Sequence, residues 1–206
     1  EASMSILKKD KSYTFSDYFE LSYPTEEIVA ELGYQYQLTK LTLPRGVVSH
    51  SLEKLQTMFY EKLPYISLTS ETAKREMIVA PILLELLDEI KVKIDIEYPV
   101  YVSEYLKGNL DYWIHSTRQF LVVEAKKADM EKGFTQLAIE LIAMDQYLDA
   151  TSDFLYGAIT IGDLWRFGTL DRQQKRILKD IDSFRVPLDL EELFQVLIGI
   201  LKTEQK

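Results

Sequence analysis

Three β-rich runs follow one another between Lys93 and Lys126, separated only by turns. The first is Lys93 to Leu106, carrying Ile94, Ile96, Tyr98, Val100, Tyr101 and Val102. Lys107-Gly108-Asn109 reads as a turn, Leu110–Ile114 as a second strand, His115–Gln119 as a second turn and Phe120–Lys126 as a third strand. Strands joined by short turns pair antiparallel, so this stretch should be a meander. A helix is expected ahead of it over residues 70–91, with Ile78, Ile82, Leu83, Leu86, Leu87 and Ile90 in its apolar stripe. Pro81 should kink that helix or split off its first turns near Ala80. A second long helix is expected over Asp129–Leu148, burying Phe134, Leu137, Leu141 and Met144–Leu148. Phe154–Ile161 is an apolar run of buried-strand type, and Asp163–Phe167 a short strand after it. Helix, three strands, helix, strand, strand is an α/β order, with a mixed central sheet flanked by helices.

Two regions flank this order. Residues 1–67 read as an N-terminal extension packed on the core, and 68–206 as the main domain with C-terminal helices. Within the extension, Tyr13–Leu21 is aromatic-rich, Pro24–Gly33 reads as a short helix, Tyr34–Leu43 as a strand and Ser51–Leu63 as a helix stopped by Pro64. A basic helix is expected near Arg172–Phe184. The apolar helix Leu190–Leu201 either docks internally or forms a homodimer interface.

Composition removes several kinds of chemistry. The chain has no cysteine, so thiolate sites and disulfides are excluded. His50 and His115 lie 65 positions apart, which disfavours a histidine zinc site. No run approaches the ~18 apolar residues of a membrane span. The opening residues lack the basic-then-apolar order of a signal peptide, and a cytoplasmic location is expected. The net charge of −9, from 33 acidic and 24 basic residues, argues against a broad phosphate-coating surface. It leaves room for a local basic cleft. Arg166, Arg172, Lys175, Arg176, Lys179 and Arg185 cluster in one segment against Asp171, Asp180 and Asp182.

Against this background, Asp111 and Glu124-Ala125-Lys126 carry most of the chemistry. A strand turns its side chains over with period two, so Glu124 and Lys126 should emerge on one face, about 6.6 Å apart along the strand. Two carboxylates and an ammonium meeting there can hold a divalent cation and a water. An oxygen-donor set favours a hard cation, Mg²⁺ or Mn²⁺. Without the cation the two carboxylates repel, and one should titrate high.

These residues, with their context, resemble the active-site motif of the PD-(D/E)XK nuclease superfamily, the restriction-endonuclease-like fold. The nearest likeness is to the nuclease domain of type I restriction motor subunits and their stand-alone relatives. Ser70-Glu71, Arg75, Ile78 and Pro81-Ile82-Leu83 match the helix before the sheet, and Gly108-Asn-Leu-Asp-Tyr112 its "G-x-x-D-Y" strand. Gln136 follows Glu124 on the next helix, and Thr160-Ile-Gly-Asp-Leu-Trp165 resembles the "T-x-G-x-x-W" strand turn. Leu110 stands where the superfamily often has proline. The resemblance implies a restriction-endonuclease-like mixed sheet with an αβββαβ core. It implies metal held by Asp111, Glu124 and the Ala125 carbonyl, with Lys126 as catalytic lysine. It adds Glu71 as a further carboxylate and Gln136 as a partner of water or phosphate.

Plainer readings compete at each position. Glu71 also suits the first turn of a helix, or an i,i+4 pair with Arg75. Gln136 also suits a solvated surface. The implied function is a metal-dependent nuclease hydrolysing phosphodiester bonds, with DNA as the nucleic-acid partner and RNA as another substrate. The alternative is a catalytically inactive nuclease-like module, a binding or assembly subunit of a larger defence, repair or transposition complex.

Overall fold

The computed structural model describes residues 5–124, 126–149 and 152–202, with 119, 121–124 and 126 described by backbone alone. The chain opens with α1 (Phe15–Phe19) and α2 (Thr25–Glu31). Asp17 closes the first turn of α1 by accepting from the Thr14 N–H and hydroxyl, at 2.7 and 2.9 Å. Glu26 and Glu27 open α2, where acids suit the helix dipole. Gly33, at φ +83°, ends it in the left-handed region. β1 (Gln35–Thr39) and α3 (Glu53–Lys62) follow.

The long helix expected over 70–91 is broken. It comprises α4 (Glu71–Lys74), a π turn over Arg75–Val79 and α5 (Ala80–Glu89). Proline has no N–H to donate to the preceding turn and its ring crowds the carbonyl there, so the turn ahead of Pro81 widens. The meander is β2 (Lys93–Ser103), β3 (Leu106–His115) and β4 (Gln119–Glu124). Then come α6 (Met130–Tyr147), β5 (Phe154–Thr160), β6 (Leu164–Asp171), β7 (Arg176–Asp180), β8 (Phe184–Arg185) and α7 (Leu190–Leu201).

Among the described residues the sheet runs β1-β7-β6-β5-β4-β3-β2, with β8 added against β6. Two neighbouring pairs are parallel, β1 with β7 and β4 with β5, and the others antiparallel. The sheet is therefore mixed, and helices cover both faces. One face carries α1, α2 and α6, with Tyr18, Ile28, Phe134, Leu137 and Leu141 in its core. The other carries α3, α5 and α7, with Phe59, Ile82, Leu86, Phe194 and Leu197. Helix α7 thus docks internally, through α5, β4 and β8. Residues 1–67 contribute the edge strand β1 and the aromatic helix α1, which packs on α6 and β3.

Three local expectations are corrected. The first hairpin turns at Glu104–Tyr105, and Lys107-Gly-Asn109 lies inside β3. Gly108 serves close packing there, since a Cβ on it would sit 3.0 Å from the Phe15 ring. The segment read as a basic helix is β7, a turn and β8. Its residues alternate, burying Ile177 completely and Lys179 almost so, and strand pairing to β1 and β6 overrides helix propensity. The third strand stops at Glu124, and Lys126–Ala128 form a short 3₁₀ turn with Lys127 at φ +53°. The period-two spacing therefore does not extend to Lys126.

Two predictions arise from the packing. The backbone of residues 44–46 crosses α7 at Gly199, where an added Cβ would lie 2.5 Å from the Pro44 carbonyl carbon and oxygen. Backbone cannot swing aside as a side-chain tip does, so Gly199→Ala should destabilise the fold by about 1–3 kcal/mol. Urea denaturation measures this, and an unchanged midpoint would contradict the crossing.

The second concerns Glu89, which fastens residues 49–50 to the end of α5. It accepts from the Ser49 N–H and hydroxyl at 2.8 and 2.7 Å and from the His50 N–H at 2.8 Å. Burial pushes its carboxyl up, but these donors and the His50 ring outweigh it and hold the carboxyl below its ordinary 4.5. A lowered folded-state pKa contributes stability above the unfolded value and loses it as pH falls through the folded value. Glu89→Gln should lower Tm at pH 7, with the gap to wild type closing as pH drops below about 4.5. A gap that stays constant down to acid pH would contradict the assignment.

Candidate metal centre

Asp111 sits where the β2–β3 hairpin changes sides. Ile96 pairs with Tyr112 and Tyr98 with Leu110, so Glu97 and Asp111 lie between these pairs. On the inner half of the hairpin, Tyr112 and Ile114 join the core under α5 and α7. On the outer half, Leu110, Tyr98 and Val100 join the core under α1 and α6. Glu97, at φ +54°, carries the backbone irregularity that allows the swap. Arg75 braces the same point, donating to the Tyr112 hydroxyl at 3.0 Å and reaching Glu97 at 3.3 Å.

Glu124 ends β4, opposite Thr160 of β5. The β3/β4 ladder runs from His115↔Gln119 to Tyr112↔Val122. Asp111 and Glu124 therefore both lie just beyond the same end of that ladder. The side chains of Glu124 and Lys126 and all of Ala125 fall outside what is described, so these expectations stand on backbone position.

Glu71 lies in the first turn of α4, where its carboxylate accepts from the Lys127 N–H at 2.9 Å. It thereby fastens the helix to the backbone directly after Glu124-Ala-Lys126. The plainer reading of Glu71 as a first-turn acid of a helix holds, while Arg75 bonds Tyr112 and Glu97. Glu71, Lys74, Lys127 and Thr160–Gly162 line a cavity of about 620 Å³ at this edge of the sheet. The Thr160 hydroxyl accepts from the Gly162 N–H and donates to the Leu164 carbonyl, both at 2.9 Å. The turn that resembles "T-x-G-x-x-W" is thus a hydrogen-bonded unit.

Gln136 is no surface glutamine; it is 3% exposed on α6. Its amide nitrogen donates to Glu140 Oε1 at 3.0 Å. Glu140 is fully buried and escaped the sequence reading. The available signal was its i,i+4 spacing from Gln136 within a helix face otherwise filled by apolar residues. Burial, and then the negative charge of Asp111, push the Glu140 carboxyl well above the usual carboxylate range. Asp111 and α6 thus face a common interior. The Gln136 Oε1 and Glu140 Oε2 atoms are buried without a hydrogen-bond partner among the described residues.

The basic segment is largely consumed by internal pairing. Arg172 bonds Asp145 at 2.6 Å, Arg185 bonds Asp189 at 2.9 Å, and Lys179 meets Glu131 at 2.6 Å beneath Phe134. Arg166 reaches the same Glu131 at 3.7 Å.

The donor set near Asp111 is oxygen and amide, which suits a hard divalent cation. Among the described residues no group of three or more His, Cys, Asp or Glu forms a metal cluster. No helix among them is long and apolar enough to cross a membrane. No protein-family model, curated protein or solved structure matches this chain.

Proposed function

We propose that this chain is a divalent-metal-dependent phosphodiesterase of the PD-(D/E)XK type, acting on DNA in the cytoplasm. One observation carries the reading. The meander β2–β3–β4, followed by α6 and by β5 parallel to β4, brings Asp111 and Glu124 just past one end of the same ladder. Asp111 and Glu124, with the Ala125 carbonyl, would hold Mg²⁺ or Mn²⁺. When bound, such a cation supplies Lewis-acid polarisation of the phosphoryl oxygen and acidifies a neighbouring water. Lys126 would stabilise the charge that develops on the phosphate. Glu71 would keep the chain after Lys126 in place through Lys127. Gln136 would orient water or phosphate from α6.

Purified protein mixed with plasmid, linear and branched DNA, and with RNA, tests the reading. Cleavage of DNA that needs Mg²⁺ or Mn²⁺ and stops with chelator is expected; no cleavage of any substrate would overturn it. A second reading is favoured by the internally paired cations: a nuclease-like module that lacks activity and serves as a binding or assembly subunit. Under that reading calorimetry would show no Mg²⁺ or Mn²⁺ binding dependent on Asp111 and Glu124.

A further inference from the structure

The polar interior of α6 is not explained by packing. Glu140 is buried completely, among Leu137, Ile139, Leu141 and Ala143, which are equally buried. An isolated charge in such surroundings is strongly disfavoured, and a polar atom there normally has a partner. Among the described residues Glu140 has one bond, from Gln136, and its second oxygen has none. Gln136 repeats the pattern, with its amide nitrogen used and its carbonyl oxygen without a partner. Helix α6 packs against β3 and β4, the strands that carry Asp111 and Glu124. The orphaned atoms are oxygens, which a hard divalent cation satisfies directly.

The geometry points to Glu140 Oε2 and Gln136 Oε1 as direct ligands of a divalent cation shared with Asp111. The inference rests on the metal-dependent reading above and deepens it, because it extends the centre from the strand ends into α6. It makes Glu140 a metal-binding residue and moves Gln136 from a partner of water or phosphate to a ligand. A ligand carboxylate must be deprotonated, so the bound cation would face a charged Glu140.

Titration of the full chain with MnCl₂, followed by calorimetry and by the shift in Tm, tests the inference without nucleic acid. Glu140→Gln keeps the volume and removes the charge, and Gln136→Leu removes the amide oxygen. Each should weaken Mn²⁺ binding at least tenfold, and Glu140→Gln should largely abolish the Mn²⁺-induced rise in Tm. Circular dichroism in chelator verifies that both variants fold. Should either fail to fold, Glu140→Asp, which shortens the ligand and keeps the charge, must still lose affinity for the inference to stand.

Unaltered Mn²⁺ affinity in folded Glu140→Gln would overturn the inference, as would a wild-type chain that binds no Mn²⁺. Binding that needs Glu140, in a protein that cuts no DNA, would uphold this site and sink the nuclease reading. Metal-dependent cleavage that persists in Glu140→Gln with unchanged Mn²⁺ affinity would do the reverse.

Discussion

Asp111→Asn is expected to lower Mg²⁺-dependent DNA cleavage by at least about 100-fold, the loss that removing even an outer partner of a catalytic metal reaches. The substitution preserves shape and removes the charge proposed to hold the cation. Asp111 stands at the point where β2 and β3 change sides, between the buried Leu110 and Tyr112. Those neighbours fix the strand, so the isosteric variant should keep the fold. A time course of supercoiled-plasmid nicking, read beside thermal melting in chelator, separates lost chemistry from lost fold. Cleavage within tenfold of wild type would contradict a ligand role for Asp111.

Trp165→Ala is expected to cost about 3–5 kcal/mol, the range for deleting a buried aromatic side chain. Trp165 is fully buried, and its indole N–H donates to the Gly162 carbonyl at 2.8 Å. That bond closes the turn begun by Thr160, and Gly162 packs tightly beneath α4, where a Cβ would lie 3.2 Å from that of Lys74. The substitution therefore removes core volume and also frees the turn that lines the cavity beside Glu71 and Lys127. Trp165→Phe refills much of the volume and loses only the indole bond, so it should cost about 1 kcal/mol beyond its packing change. Denaturant midpoints decide this, and a loss under about 1 kcal/mol for Trp165→Ala would contradict the packing described.

The particular residues show why some of this was legible in the chain. Asp129 sits directly before α6 and accepts from the Lys132 N–H at 3.0 Å, a local cap that a reader can find. The apolar stripe of Leu190–Leu201 and the strand alternation around Phe120 and Ile114 are likewise local signals. The misses depend on distant contacts. Gly108 looks like a turn residue until Phe15 is known to lie against it. Lys126 lies in a turn that the next residue, Lys127, bonds to Glu71, 56 positions before Lys127. Arg176–Asp180 becomes a strand because β1, from the far end of the chain, pairs with it. Glu140 carries no local sign of burial, because a carboxylate seldom lies in a core. Its burial is set by how α6 presses on β3, β4 and β5.

A crystal of the full chain soaked in MnCl₂ tests the central claim most directly, through the anomalous signal of the metal. The account predicts one strong Mn²⁺ peak bounded by the carboxylates of Asp111 and Glu124, on the side of the sheet that faces α6. A peak elsewhere, or no peak at a concentration that supports cleavage, would contradict it.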